Sequence, residues 1–301
     1  MEIKLGYCCI SMLYPELKCG RSSTKTYLDS HDNRYCHDYL FSKAKSNLLD
    51  LITLLRENNR NGIKAYRVPE QLLPQIDLGY YQVKELTPWL EEAGEVANMF
   101  HMQLSNHPSQ YFVLNSLREE VVEKTIGTID LIAETFQRMS LAYTPNIILH
   151  VGVKNGYETV DHALRGFVIN YNKLSEVAKG YLVVENDPTS FTVGDCLKIH
   201  EQIGIPVVFD NMHYKWNKGE LGFEEGVKQV VSTWGGRTPK FHLSSDKGGR
   251  KHAHSDYIAV EDYRELECAV CKTNIEQCYF MLECKEKDRA IIQLKEDLLR
   301  G

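Results

Sequence analysis

Short apolar runs alternate with longer amphipathic stretches along most of this chain of 301 residues. A run of about 4–8 apolar residues bounded by turn residues is typical of a buried strand. Segments of this kind predict eight strands, at 3–8, 63–68, 100–106, 146–151, 181–186, 206–210, 239–243 and 278–283.

The stretches between these runs carry apolar residues at helical spacing. They predict helices at 47–58, 83–99 (broken before Pro88), 121–137, 164–178, 193–203, 224–233, 260–271 and 288–299. Eight alternations of strand and helix without a long linker favour a parallel sheet closed into a single-domain (β/α)8 TIM barrel over residues 1–301. An open doubly wound sheet is the alternative, but no G-x-G-x-x-G motif follows the first strand.

One connection is unusually long. The segment 14–35 is polar, rich in Ser, Thr and Asp, and separates the first strand from the first predicted helix. Long loops in compact domains are either functional or mobile. Both interpretations remain open here: a loop that covers a substrate, or a mobile surface segment.

Composition narrows the class of protein. No run of about 18 apolar residues is present, and the start lacks a basic segment followed by an apolar one, so we expect a cytoplasmic protein that does not span a membrane. The nine cysteines predict reduced thiols rather than a disulfide framework. Cys268 and Cys271 form a C-x-x-C spacing within a helical stretch, and we expect small buried side chains there rather than a zinc or redox site.

Polar residues that bind metals recur at the ends of the predicted strands. Eight histidines and carboxylates follow or end the third to eighth strands: His107, His150, Glu185, Asp210, His213, His242, His254 and Glu283. Because the carboxyl ends of parallel strands meet at one end of a barrel, we expect these side chains to converge. One histidine at a strand end is usually a hydrogen-bonding residue, but a ring of eight indicates a shared site.

The alternation of side chains along each strand supports this convergence. Val183 and Glu185 share one face of the fifth strand, and Lys240 and His242 share one face of the seventh, so all four are expected inside the barrel. Carboxylates buried there need compensating charge, which divalent cations supply. Nitrogen and oxygen ligands without cysteine suit manganese, zinc, cobalt or iron better than calcium, and eight ligands suit two or three ions.

Clustered divalent cations support more than one chemistry. They stabilise the attacking and departing oxygens of a phosphodiester and activate water. They also support hydride shifts and enolisation in sugars. The ligand set alone does not choose between these reactions.

Longer motifs around these residues resemble the UV damage endonuclease family. They occur in the family's order along nearly the whole chain: Leu5-Gly-Tyr7, Tyr66-Arg67, His107-Pro-Ser-Gln-Tyr111, Leu149-His-Val-Gly152, Val184-Glu-Asn-Asp187, Phe209-Asp-Asn-Met-His213, Pro239-Lys-Phe-His-Leu-Ser-Ser245, His254-Ser-Asp-Tyr257 and Met281-Leu-Glu-Cys-Lys285. The resemblance implies a (β/α)8 barrel related to endonuclease IV and to xylose isomerase-like proteins. It also implies a divalent metal cluster, commonly manganese, that cuts DNA immediately 5′ of ultraviolet photoproducts.

The resemblance also implies roles for individual residues. The eight residues above match the family's metal ligands, with Glu185 bridging two ions as part of the catalytic centre. Lys240 matches a catalytic lysine that is carbamylated in some relatives, and Tyr7 matches an active-site tyrosine. Gln110 and Tyr111 match residues that enter the duplex where the lesion is extruded.

The expected partner is double-stranded DNA with damaged bases, bound by a monomer without an obligate protein partner. A net charge of −6 opposes DNA binding overall, but binding depends on the local field, and bound cations offset that charge. Basic residues after the strand ends predict a rim for phosphates: Lys154, Lys215, Lys218, Lys247, Arg250, Lys251, Lys285 and Lys287. Val68-Pro-Glu-Gln71 and Ser11 depart from the family pattern and bear on lesion contacts.

These implications favour a hydrolase that flips a damaged dinucleotide and leaves a 3′ hydroxyl and a 5′ phosphate. Reduced stacking at the lesion would help recognition, so abasic sites are also expected substrates. The alternatives are an abasic-site endonuclease without activity on photoproducts, a metal-dependent sugar isomerase or epimerase on the same barrel, and a barrel that binds metal without catalysis.

Overall fold

Eight parallel strands close into a barrel in the computed structural model, which describes residues 1–249 and 253–300. Each strand pairs with the next along the chain, and the pairing of β8 with β1, from Glu2 opposite Gln277 to Tyr7 opposite Leu282, closes the ring. The predicted (β/α)8 architecture is therefore confirmed. The strands are β1 Glu2–Cys8, β2 Ala65–Arg67, β3 Gln103–Asn106, β4 Asn146–His150, β5 Leu182–Glu185, β6 Val207–Asp210, β7 Lys240–Leu243 and β8 Gln277–Leu282.

Helices surround this barrel. They are α1 Lys25–Leu28, α2 Asn33–Arg60, α3 Thr87–Met99, α4 Glu119–Arg138, α5 Val160–Tyr171, α6 Glu176–Tyr181, α7 Val193–Ile203, α8 Asn211–Trp216, α9 Phe223–Ser232, α10 Val260–Cys271 and α11 Lys287–Arg300. Short 3-10 turns lie between β2 and α3, at Glu70–Leu72, Ile76–Leu78 and Val83–Leu86. Within the described residues, no helix combines the length and apolarity that crossing a membrane requires.

The predicted helices differ from the structure in three places because capping residues set the helix ends. The predicted helix 164–178 is two helices, since the side chain of Ser175 accepts a hydrogen bond from the backbone of Ala178 and starts α6. Asp32 caps α2 in the same way and starts it well before the predicted residue 47. The short helix α8 was not predicted. It begins at Asp210, whose carboxylate accepts from two backbone amides.

The long segment between β1 and α2 is packed rather than free. The side chain of Asn47 on α2 accepts a hydrogen bond from the amide of Arg21 at 2.9 Å and donates to its carbonyl at 3.1 Å. The same amide group donates to the carbonyl of Gln71 at 3.0 Å. Cys19 in this segment is only 2% exposed. These contacts anchor the segment to the barrel wall and argue against a mobile surface loop.

Side chains alternate between two cores. Val183 packs inside the barrel with Ile148, Val208 and Trp234, whereas its neighbour Val184 belongs to the larger core between strands and helices. This is the alternation that the sequence predicts for β5. It directs the side chain of every second strand residue into the barrel.

The cysteine predictions hold in part. All nine cysteines are unpaired. However, the expectation that Cys268 and Cys271 are buried is wrong, because both lie on the exposed face of α10. The apolar positions of that helix, including Leu266 and Val270, face the core instead.

Gly94 on α3 packs closely against the end of α4, and replacing it by alanine should destabilise the fold. A Cβ atom built at Gly94 would lie 1.7 Å from the carbonyl oxygen of Met139, the residue that follows α4. We expect a loss of about 2–4 kcal/mol in the free energy of unfolding, measured by urea denaturation. Gly127→Ala on α4 is the matched control. Its Cβ would meet nothing within 4 Å, so it should stabilise the helix by about 0.5–1 kcal/mol. Equal effects of the two variants would contradict the close contact.

Candidate metal centre

The carboxyl ends of the strands bring the predicted ligands together. His150, Glu185 and Asp210 are the last residues of β4, β5 and β6. His107 and Glu283 directly follow β3 and β8, with His242 inside β7 and His213 on α8. The inward direction of the side chains on the strands follows from their alternation, whereas α8 places His213.

Glu185 lies at the middle of this cluster and is 1% exposed. One carboxylate oxygen, Oε1, lies 2.8 Å from Nδ1 of His242 and 3.4 Å from Nδ1 of His213. The other, Oε2, lies 3.1 Å from Nε2 of His107 and 3.9 Å from Nε2 of His150. A single buried carboxylate thus has imidazoles near both of its oxygens, and it belongs to two of the groups of possible ligands described below.

Asp210 and Glu283 extend the cluster to the other side of the barrel. Nδ1 of His213 lies 3.8 Å from Asp210 Oδ1, and Nδ1 of His242 lies 3.2 Å from Glu283 Oε1. Three overlapping groups of possible ligand atoms result, each with its atoms within 4.8 Å of one another: His107, His150 and Glu185; Glu185, Asp210 and His213; and Asp210, His242 and Glu283.

The electrostatics of the cluster are those of buried acids among imidazoles. Burial raises the pKa of Glu185, but His242 and His150 outweigh burial and hold that pKa well below its ordinary value. For Asp210, burial dominates and raises the pKa. For His213, burial lowers the pKa, but the carboxylates of Asp210 and Glu185 raise it to about 10. These opposing shifts show that the charges of the cluster depend strongly on one another.

The donor atoms fit divalent cations. Oδ2 of Asp210 and Nδ1 of His150 are buried and have no hydrogen-bond partner among the described residues. A buried polar atom without a partner is costly, and a metal ion would satisfy it. Imidazole and carboxylate donors without thiolates suit manganese, zinc, cobalt or iron.

A cavity of about 680 Å³ opens above the cluster. Its lining includes the ligands His107, His150 and His213, together with Gln110 and Tyr111 from the loop after β3. Tyr111 is 77% exposed, although large aromatic side chains are usually buried. The structure therefore places both predicted lesion-probing residues in the lining of the cavity that also contains three of the predicted metal ligands.

A family model and several relatives match this chain over nearly its full length. The UV-endonuclease UvdE family model matches residues 3–300. The chain belongs to this family.

Relatives and one crystal structure agree with that membership. A UV DNA damage endonuclease from Halalkalibacterium halodurans is 27% identical over 306 residues, which cover 99% of this chain and 94% of that protein. A UV-damage endonuclease from Schizosaccharomyces pombe is 30% identical, over 97% of this chain and 50% of that protein. The crystal structure of SacUVDE superposes with a TM-score of 0.88 at 26% identity and covers 99% of both chains.

More distant structures share only the fold. A D-psicose 3-epimerase from Clostridium cellulolyticum H10 has a TM-score of 0.53 at 10% identity, over 81% of this chain and 86% of that chain. At this identity the likeness shows a common barrel architecture and carries no argument about the reaction.

His254 lies beside the cluster but in none of its three groups. Its Nδ1 is 2.5 Å from the carbonyl oxygen of Glu283 and 3.0 Å from Oγ of Ser244. Histidines that bind metals commonly donate their other ring nitrogen to a backbone carbonyl. The hydrogen bond to Glu283 therefore leaves Nε2 of His254 as the atom that could bind a cation.

Lys240 is fully buried inside the barrel, two residues before His242. Its Nζ donates to Oε1 of Gln103, and no ion pair joins it to a carboxylate among the described residues. Burial and the nearby guanidinium of Arg67 hold the pKa of Lys240 well below its ordinary value.

The structure does not bring Tyr7 to the cluster. Its neighbour Cys8 packs inside the barrel with Ala65, so the alternation of β1 turns Tyr7 toward the helices. The Tyr7 hydroxyl donates to Asn58 on α2 at 3.0 Å. The expectation that Tyr7 is an active-site tyrosine is therefore corrected, since its side chain lies between the strands and the helices, and no catalytic role is proposed for it.

Arg67 contacts the cluster, although sequence analysis assigned it no role beyond its place in the Tyr66-Arg67 motif. It ends β2, lines the large cavity and forms an ion pair with Glu283 through Nη2. The same nitrogen lies 3.4 Å from Nε2 of His242. Its position at the end of β2 was a signal in the sequence, because that strand supplies no histidine or carboxylate to the cluster.

The predicted basic rim is partly neutralised. Lys215 forms ion pairs with Asp262 and Glu265 at 2.6 and 2.8 Å, and Lys247 pairs with Asp256 at 2.9 Å. Lys285 lies 4.0 Å from Asp256. Three further rim residues are at least partly exposed: Lys154, Lys218 and Lys287. The last two, Arg250 and Lys251, lie outside the described residues.

Proposed function

We propose that this chain is a metal-dependent UV DNA damage endonuclease that cuts the phosphodiester immediately 5′ of a photoproduct. The products would be a 3′ hydroxyl and a 5′ phosphate. The observation that carries the proposal is Glu185, a buried carboxylate surrounded by four imidazoles, three of which line the large cavity. Membership of the UV-endonuclease family supports the substrate class.

The three ligand groups would hold two or three divalent cations, with Mn²⁺ the first candidate and Zn²⁺, Co²⁺ or Mg²⁺ the alternatives. Such cations polarise a phosphodiester and lower the pKa of water, which favours hydrolysis at neutral pH. The chain's own contribution is to fix the ligands. The strand ends hold Glu185 and Asp210, and the backbone amides of α8 orient Asp210.

Gln110 and Tyr111 would recognise the lesion. A tyrosine ring can stack in the space that extruded bases vacate, and the side-chain amide of a glutamine can form hydrogen bonds with the bases left unpaired. Their exposed position at the cavity border supports this role. Because a weakly stacked site favours extrusion, abasic duplexes are expected to be cut as well.

Loading with Mn²⁺ should stabilise the fold, since it compensates buried carboxylates. At a concentration about 100-fold above the dissociation constant, binding contributes about 2.7 kcal/mol. For a chain of this size we expect a rise in melting temperature of roughly 5 °C by calorimetry after addition of Mn²⁺ to chelator-treated protein. Glu185→Gln should lose most of this rise. An equal rise in both proteins would place the ions outside the cluster.

A plasmid assay tests the proposed activity. Manganese-loaded protein should relax ultraviolet-irradiated supercoiled DNA, leave unirradiated DNA intact, and lose activity with a chelator. Relaxation of only an abasic plasmid would support an abasic-site endonuclease. Turnover of ketosugars with no cutting of any plasmid would support the epimerase alternative and overturn the proposal.

A further inference from the structure

A second polar cavity lies at the amino end of the barrel, away from the metal centre. It has a volume of about 260 Å³. The first residues of β3 and β4, Gln103 and Asn146, contribute to its wall, as do Arg237, Thr238 and Tyr279 near β7 and β8. None of its lining residues is an aspartate or a glutamate.

Arg237 brings positive charge to this cavity without a carboxylate partner. Among the described residues it forms no ion pair within 4 Å, and its Nη2 is buried without a hydrogen-bond partner. Its remaining contacts are weak: Nη1 lies 3.4 Å from the carbonyl oxygen of Gly180, and the guanidinium lies 5.4 Å from the centroid of the Trp234 ring. Burial lowers the pKa of Arg237.

Tyr279 supplies a second unsatisfied donor. The residue is 2% exposed, and its hydroxyl has no hydrogen-bond partner among the described residues. Thr238 accepts a hydrogen bond from Gln277 at 3.0 Å, so its own hydroxyl hydrogen remains available.

The side-chain amide oxygens in the cavity wall already accept hydrogen bonds from other residues. Oε1 of Gln103 accepts from Lys240, and Oδ1 of Asn146 accepts from the amide group of Gln103 at 2.8 Å. The cavity therefore presents donors with a positive charge, and its ligand must supply acceptors with a negative charge. A water molecule would satisfy one donor but not the charge of a half-buried guanidinium.

We propose that this cavity is a binding site for a small oxyanion, held by the guanidinium of Arg237 and the hydroxyl of Tyr279. Phosphate and carboxylate groups share the required chemistry, because their oxygens accept charge-assisted hydrogen bonds from a planar guanidinium. The site is separate from the proposed DNA-cutting site and does not depend on it, since the two lie at opposite ends of the barrel.

Calorimetric titration with inorganic phosphate tests this site. The full chain is treated with a chelator and dialysed into a chloride buffer, so that phosphate does not bind through metal ions at the other end of the barrel. We expect saturable binding with a dissociation constant of about 1 mM or lower. Arg237→Gln should weaken binding at least about tenfold, and Tyr279→Phe about threefold to tenfold through the loss of one hydrogen bond.

Two further variants separate binding from folding and from general surface charge. Arg237→Lys keeps the charge and should retain measurable affinity, with a melting temperature close to that of the parent. Arg165→Gln is the matched control, because Arg165 is exposed and lines another cavity, of about 320 Å³, that contains Asp161. It should leave phosphate affinity unchanged.

A parallel titration with acetate distinguishes a carboxylate ligand from a tetrahedral one. Binding of either anion that depends on Arg237 and Tyr279 supports the proposal. Failure of both anions to bind, or equal affinity in the parent and in Arg237→Gln, would overturn it.

Discussion

Replacing Glu185 with glutamine is expected to reduce cleavage of UV-damaged DNA by a factor of about 10³ or more. Glutamine keeps the size of the side chain but removes the charge that faces His107, His150, His213 and His242. The shared ligand of two proposed cation sites would then be neutral, and both sites would weaken. The single-turnover rate on a duplex with one thymine dimer, at saturating Mn²⁺, measures this loss.

Glu201→Gln is the control for the removal of one negative charge. Glu201 is exposed on α7, outside all three ligand groups, and its replacement should leave the rate within about twofold. Dimer cleavage by Glu185→Gln within tenfold of the parent rate would show that the centre of the cluster is not needed for the reaction.

Replacing Tyr111 with alanine should reduce discrimination between damaged and undamaged duplex by about 10- to 100-fold. Stacking of one base on an aromatic ring contributes about 1–3 kcal/mol, which corresponds to this range. The ring is exposed at the border of the cavity and is not part of the core, so the fold should be retained. The ratio of dissociation constants for the two duplexes, measured by fluorescence anisotropy, reports the effect.

Two variants control for the chemistry of this residue. Tyr111→Phe keeps the ring and should retain most of the discrimination. Tyr35→Ala removes a tyrosine that is 41% exposed on α2 and does not line the cavity, and it should have no effect. Equal loss of binding to both duplexes in Tyr111→Ala would indicate a general DNA contact instead of lesion recognition.

The barrel was predictable because its strands are short, apolar and evenly spaced. The convergence of the ligands followed from the same pattern, since Glu185 and His242 share faces with residues inside the barrel. Strand bounds were less predictable. The pairing of β2 with β3 spans only Ala65–Arg67 on the β2 side, although the apolar run there covers 63–68.

Tyr7 and Arg67 show that a sequence motif does not by itself predict where a side chain lies or what it contacts. Tyr7 belongs to a family motif, but the alternation of β1 places its ring against Tyr66, with ring centroids 5.1 Å apart. Arg67 carries no metal-ligand chemistry, so ligand patterns overlooked it. Arg67 and Glu283 are 216 residues apart in the sequence, and only the closed barrel brings them into contact.

Polar contacts between distant segments were also beyond prediction. Asn47 fixes the segment before α2 by hydrogen bonds to Arg21 and Gln71, and nothing in the local sequence identifies these partners. The ion pairs of Lys215 and Lys247 similarly depend on which acidic residues the fold brings near them. A count of basic residues after the strands therefore overestimated the free positive charge at the barrel mouth.

The most direct measurement is the position of the nick in an end-labelled duplex that carries one thymine dimer, beside undamaged and abasic duplexes. With manganese-loaded protein, we expect one product that ends immediately 5′ of the dimer with a 3′ hydroxyl, and no product with a chelator. A nick elsewhere, a nick that persists with the chelator, or no nick with Mn²⁺, Zn²⁺, Co²⁺ or Mg²⁺ would contradict this expectation.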